Sequence, residues 1–426
     1  MRSPLAILLL AALGACSTPA EPWSDAWMLE EGERYLADPV ARRAGLLESM
    51  ESRDNIYARE RIANYGLESS GWDTLPVWNP RSETLTGDML DAVEGGRSPS
   101  VDAAPLWDGE TPVTMAAWVA LGREVFFRYP LRADPYVAHS VRELARDESG
   151  AWPGVLAFRD VDGDTAIGIS CALCHTSVEA GVVSIGAARR EFDYGAVRLA
   201  YHDETGAPLS EEMRARLSSW GPGRADITAD ETTDPVAIPD LFGLREQSSL
   251  TQAGTIRHTG PIALAIRQET QYLHANHQRS RPPRELMFAL SMFLYAIEPP
   301  PPQGMDEAAE RGAVTFGRLC ASCHSNAAFG GPLIEARAVG TDPALANGAA
   351  RGTGVYRTAP LLGVRDAAPY LHDGTLPNLE ALLGRARLRE DYTGGTRGPG
   401  AIEGHEYGTF LSASEREALI AFLRTL

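Results

Sequence analysis

Along the 426-residue chain, apolar positions recur at helical spacing in three early stretches, Trp27 to Tyr35, Val40 to Met50 and Ile56 to Tyr65. Ser24 stands where a capping side chain would start the first, and Asp38-Pro39 supplies cap and first-turn proline for the second. A longer amphipathic pattern runs through Trp118, Leu121, Val125 and Phe126, opened by Thr114 and ended at Pro130. Ser210 to Trp220 has the same period. Leu286 to Leu294, which contains Met287 and Met292, is apolar throughout and reads as a core helix. Met305 to Cys320 and the final stretch from Ser412 or Ser414 to Leu426 complete the helical set, the latter with Ala413, Leu419, Ile420 and Phe422 on one face. Between these lie an irregular aromatic segment (Trp72 to Pro80), a Gly/Ser/Pro linker (Glu94 to Ser100), glycine loops at Gly181 to Gly186 and Gly221 to Gly223, and the stiff spacer Pro299 to Pro302. The pattern predicts a mainly α protein. Trp23, Trp27, Trp72 and Trp78 are read as packing the N-terminal part onto its neighbour.

The chemistry is concentrated in Cys171-Ala172-Leu173-Cys174-His175 and Cys320-Ala321-Ser322-Cys323-His324. In C-x-x-C-H two thiols add across the vinyl groups of a haem, and the adjacent His becomes the proximal iron ligand. A zinc site would want four close ligands, and a redox dithiol has no use for the His in both copies. The fifth and last cysteine, Cys16, follows an apolar run from Leu5 to Leu13 in the setting Leu13-Gly14-Ala15-Cys16. This is a signal peptide with a small-residue cleavage site. No cysteine is left over for a disulfide, and no later stretch is long and apolar enough to span a bilayer. A net charge of −18 excludes nucleic acid as a natural partner. Every basic residue other than His is Arg, so no amine can form a Schiff base or ligate iron.

Two segments echo one another. Ile238-Pro239-Asp240-Leu241-Phe242-Gly243-Leu244 leads to Arg257-His258-Thr259-Gly260. Thr358-Ala359-Pro360-Leu361-Leu362-Gly363-Val364 leads to Pro369-Tyr370-Leu371-His372-Asp373-Gly374. Each is a proline turn, an apolar segment and His-x-Gly, which points to duplication with His258 and His372 in equivalent places. With Leu121-Gly122-Arg123-Glu124-Val125-Phe126-Phe127 and Pro130-Leu131, this resembles the bacterial di-haem cytochrome c peroxidase superfamily from about residue 111 to the C-terminus. Gly404-His405-Glu406-Tyr407-Gly408-Thr409 is similar to the tail of its rubber-oxygenase-like branch. Leu-Gly-Ala-Cys resembles the bacterial lipoprotein box, and Ser17 after it resembles the sorting signal for the outer membrane.

The resemblance implies two c-type cytochrome domains in tandem behind a helical extension. The units are a lipoprotein signal peptide (1–15), extension and linker (16–110), first haem domain (111–298), proline linker (299–304) and second haem domain (305–426). It implies two covalent haem c groups, interface calcium near Ala367 and Pro369, and a lipid on Cys16 holding the protein to the periplasmic side of the envelope. The partners would be an electron-transfer protein and a small oxidant, peroxide or O2. No Met follows Met305, and the place of the family's Met ligand is Ala386, which leaves His372, His405, Tyr392 and Tyr407 as donors opposite His324; the resemblance of the Gly404–Thr409 tail to the rubber-oxygenase-like branch implies His405. The place of the first haem's distal His is Glu191, which leaves that iron open. Arg257, His258, Gln268 and Glu269 are the catalytic candidates there. Gln268 matches the family's active-site glutamine, His258 replaces its inter-haem Trp, and Gln278 replaces its glutamate. His258 and His372 are placed between the haems as propionate or relay groups. A peroxidase- or oxygenase-like enzyme, an electron carrier and a tethered haem sensor or assembly partner are the open readings, with the enzyme favoured by the length of the inserts.

Overall fold

The computed structural model describes residues 20–65, 72–226, 228 and 232–426. The signal peptide and Cys16 lie outside the described residues. The fold is mainly helical with short antiparallel sheets. Helices α1 (Asp25–Ala37), α2 (Pro39–Ser49) and α3 (Ile56–Asn64) stand where the apolar spacing puts them. Their starts are capped: Ser24 Oγ accepts from Trp27 N at 3.2 Å, Asp38 Oδ1 from Val40 N at 2.8 Å and Asn55 Oδ1 from Ala58 N at 2.8 Å. Each such cap contributes about 1 kcal/mol. Helix α4 (Met115–Arg128) begins at the Thr114 cap. Helices α5 (Pro261–Ala275), α6 (Arg284–Tyr295), α7 (Glu307–Leu319) and α8 (Ala413–Leu423) follow. The last opens on a reciprocal Ser412/Glu415 capping box.

One helix crossing occurs twice. Where α4 meets α6, a Cβ on Gly122 would lie 1.9 Å from the Ala289 carbonyl oxygen, and where α7 meets α8, a Cβ on Gly312 would lie 2.0 Å from that of Ala418. Only glycine permits such backbone contact. One turn on, Phe126 meets Phe293 at 5.3 Å and 53°, and Phe316 meets Phe422 at 5.1 Å and 53°. Each crossing sits beside one Cys pair: Cys171–Cys174 forms a single helical turn, and His175 N and His324 N close matching turns onto the carbonyls of Cys171 and Cys320.

The largest core joins Met28, Tyr35, Leu46 and Tyr57 of α1 to α3 with Trp118, Phe126 and Phe288 of α4 and α6. The N-terminal helices therefore pack into the same core as the first Cys pair. Proline spacer 299–302 is pinned to the C-terminus through Gln303 N to Thr425 O at 3.0 Å. A four-stranded sheet that the periodicity does not announce, ordered β1 (Ser82–Thr84), β3 (Val155–Arg159), β4 (Thr165–Ile169), β2 (Arg132–Ala133), covers a second core under Trp152 and Leu173. Among the described residues, no helix is long and apolar enough to cross a membrane.

Candidate haem sites

The second motif opens on a cavity of about 290 Å³ lined by Phe316, Leu361, Leu383, Leu419, Leu423 and both His324 and His405. His324 Nδ1 donates to the Phe329 carbonyl at 2.6 Å, which fixes the tautomer and leaves Nε2 toward the cavity. Across the cavity stands His405, its ring centre 6.4 Å from that of His324 with the planes at 74°. A metal held between two imidazole nitrogens at about 2.0 Å each, with about 1.1 Å from nitrogen to ring centre, requires roughly 6.2 Å. The pair fits an iron between them. Burial, then the neighbouring His324, pushes His405 down to about 4, so both rings are neutral as iron ligands must be.

The loop carrying His405 is clamped from beneath. Arg387 is fully buried and donates to the carbonyls of Leu382, Ile402, Gly404 and His405. His405 itself sits at φ +46°, and its N–H reaches Val339 O at 2.8 Å. A guanidinium that satisfies four carbonyls holds an irregular loop in one conformation without any helix or strand. Nothing in the local pattern around Arg387 reveals this role, since the carbonyls it serves belong to a loop 15 to 18 residues on.

At the first motif, His175 Nδ1 donates to the Pro239 carbonyl at 3.1 Å, again freeing Nε2, and burial pushes the ring down to about 4. Pro239 belongs to the first copy of the duplicated turn, so that segment anchors the proximal imidazole. Cys171 Sγ lies 3.8 Å from the Tyr272 hydroxyl of α5, and burial raises the thiols, Cys174 to about 11. The other imidazoles are engaged elsewhere: His139 with Glu204, His202 with Ala207 O, His274 beside Glu60, and His372 with Tyr356. His277 is exposed.

The four catalytic candidates do not converge. Arg257 is exposed and pairs with Glu51 at 2.6 Å, because the short strand Ile256–Arg257 turns its side chain outward. Glu269 is fully buried against α1: the Tyr35 hydroxyl donates to it, and Arg284 Nε stands 3.4 Å away. Burial raises its carboxyl, and it is separated from Cys171 by Tyr129 and Tyr272. Gln268, one residue earlier, is half-buried and turned about 100° around the same helix. His258 is buried between Gln247 and Tyr295: Nδ1 donates to the Gln247 carbonyl and Nε2 accepts from the Tyr295 hydroxyl, both at 2.6 Å. Trp23 packs on it at 5.3 Å and is itself held by Arg245, which donates to the Trp23 carbonyl. His372 stacks on Tyr356 at 4.4 Å in the wall of the second cavity, its Nδ1 without a partner.

Covalent attachment points, neutral axial imidazoles and an apolar cleft define a c-type cytochrome. Residues 354–392, which run from the strand holding Tyr356 through His372 to Tyr392, match the family model described as RoxA-like, cytochrome c-like. The match covers 39 of the 426 residues and makes that segment similar to a RoxA-like cytochrome c domain, in keeping with a haem c redox protein. Among solved structures it is similar to a MauG-like protein associated with microbial copper homeostasis, at 18% identity over 49% of this chain and 78% of that one, TM-score 0.35. It is also similar to the hydrazine synthase of Kuenenia stuttgartiensis, at 15% identity over 77% of this chain and 96% of that one, TM-score 0.35. Superpositions at that level describe a loose likeness of chain path. No curated protein matches the chain.

Proposed function

We propose that this is an exported di-haem c-type oxidoreductase, lipid-anchored through Cys16 on the periplasmic side of the outer membrane. In this reading two cytochrome domains stand in tandem behind the N-terminal helices. Cys171, Cys174 and His175 hold the first haem, and Cys320, Cys323, His324 and His405 hold the second. The observation that carries the reading is the contrast between the sites: His324 faces His405 across 6.4 Å, while His139, His202, His258 and His372 are hydrogen-bonded to other groups. Bound through one axial imidazole a haem iron leaves a position for a small oxidant, and bound through two it exchanges electrons.

The residues near Cys171 then have defined tasks. Tyr272 reaches the attachment sulfur, and Arg267 bears electrostatically on both Cys171 and His175. Peroxide or O2 would meet this side, with electrons passing through the second site to a periplasmic partner protein. Of the four candidates Arg257, His258 and Glu269 are engaged elsewhere, so Gln268 is the one carried forward in this reading.

The test is the electron paramagnetic resonance spectrum of oxidised holoprotein with and without cyanide, together with haem content per chain. One high-spin signal that shifts on cyanide and one low-spin signal that ignores it support the reading. His405→Ala should convert the low-spin signal. Two cyanide-insensitive low-spin signals would instead make the protein an electron carrier.

A further inference from the structure

The loop that brings His405 to the second cavity also presents two aromatic rings to solvent. Tyr407 is 46% exposed and Phe410 is 68% exposed. The Tyr407 ring stands 5.5 Å from that of His405, edge to face at 78°, so an exposed aromatic lies against the imidazole that faces His324. The platform is held at both ends. Thr409 closes the turn twice, its N–H at 3.1 Å and its hydroxyl at 2.8 Å both donating to the Glu406 carbonyl, and Leu411 beyond Phe410 is buried. Arg387 grips the other end through the Ile402, Gly404 and His405 carbonyls. Single exposed apolar side chains are ordinary. Two aromatics three residues apart on a fixed turn keep apolar area in water with no freedom to withdraw it.

The rim of this platform is acidic. Glu403 and Glu406 are exposed on the same loop. Gly404 packs on Thr341, where a Cβ would lie 2.3 Å from the backbone nitrogen, so exposed Asp342 borders the loop as well. None of these three carboxylates forms an ion pair among the described residues. Arg337, the exposed guanidinium closest to Thr341 along the chain, is taken by Glu335 at 2.6 Å, and Arg387, which feels Glu406, is committed to carbonyls. Short-lived redox complexes have small interfaces, with aromatic residues at the centre and polar ones at the rim, and opposite charge across the rim speeds their association.

We propose that Tyr407 and Phe410, ringed by Glu403, Glu406 and Asp342, form the docking surface for a redox protein whose own redox group lies at an apolar edge surrounded by basic residues. The proposal rests on reading His324 and His405 as the ligands of an electron-exchanging haem. One electron passes between the two proteins, and no bond forms or breaks.

The experiment uses full-length holoprotein. The probe is a basic mitochondrial-type cytochrome c, whose haem edge is ringed by lysines, and an acidic plant-type ferredoxin is the counter-probe. Binding is measured by calorimetry at about 20 mM and about 200 mM salt, between which the Debye length falls from roughly 20 Å to roughly 7 Å. Saturable binding of the cytochrome that weakens about tenfold across that range is expected, with none of the ferredoxin. Phe410→Ser weakens binding about tenfold at either salt concentration. The double variant Glu403→Gln/Glu406→Gln weakens it at low salt and flattens the salt dependence, whereas Val113→Ser, at an 87% exposed position outside the second haem domain, changes nothing. No cytochrome binding, equal binding of the two probes, or wild-type affinity in Phe410→Ser overturns the docking surface. Should Phe410→Ser accumulate poorly, an unaltered salt dependence in the carboxylate variant overturns it instead. The haem reading is decided separately, by whether His405→Ala converts the low-spin signal: an unmoved signal with docking intact removes the ligand pair and keeps the surface.

Discussion

His258 offers a sharp test of how the N-terminal helices are joined to the rest. Its Nδ1 donates to a carbonyl, so the neutral ring accepts the Tyr295 hydroxyl at Nε2; a second proton would leave two facing donors in a site only 4% exposed. Burial accordingly pushes the ring down to about 4 from the usual 6.5. The unfolded chain therefore binds the proton first, and the stability this ring contributes is present above pH 6.5 and is lost as pH falls toward 4. Linkage across that window gives about 2 kcal/mol lost between pH 8 and pH 5, and roughly 3 kcal/mol once below 4. The assay is urea unfolding of the holoprotein at both pH values, for wild type and for His258→Phe. The variant is weaker at every pH by about 1–3 kcal/mol, because the Gln247 carbonyl and the Tyr295 hydroxyl lose their partner. It should nonetheless lose about 2 kcal/mol less than wild type on acidification. Equal acid sensitivity in the two proteins would refute the buried, singly protonated ring.

Arg387→Met should unclamp the His405 loop at a cost on the order of 3 kcal/mol, since four carbonyls lose a charged donor. Hydrogen exchange should show faster opening across residues 402–405, and unchanged protection there would count against the clamp. Gly122→Ala and Gly312→Ala each drive a methyl group into a carbonyl oxygen at about 2 Å, and both should cost more than about 3 kcal/mol in thermal or urea unfolding. A tolerated alanine at either position would mean the crossing is looser than described. Tyr35→Phe removes the hydroxyl that donates to Glu269; a loss of about 1.5–3 kcal/mol and faster proteolytic cleavage before residue 65 are expected, and wild-type resistance would show the contact to be dispensable.

The helices were legible because their signals are local. Ser24, Asp38, Thr114 and Ser412 each sit beside the backbone they cap, so the sequence neighbourhood contains the whole interaction. The same holds for the two Cys pairs and their trailing His. Strands β1 to β4 were not legible, because runs of two to five residues such as Arg132–Ala133 carry no period, and the outer strands β1 and β2 find their partners 35 to 76 residues away. Helix Gly87–Glu94, capped by Thr86, was similarly hidden against the glycine-rich linker that follows it. Glu269 illustrates a different limit. Its place in the chain suggested acid/base chemistry, but its surroundings were decided by Tyr35, 234 residues earlier, through a core that no periodicity specifies.

The twice-used helix crossing also fixes an order of events. In each case the cysteines precede the helix that closes their pocket: Cys171 and Cys174 come before α6, and Cys320 and Cys323 come before α8. Once those helices dock, the cysteines are half-buried, and burial pushes Cys174 and Cys320 to about 11, far from the reactive thiolate. Thioether formation is therefore a task for the open chain. A protein that collapsed early would hold its attachment thiols protonated and half-covered before the haem arrived.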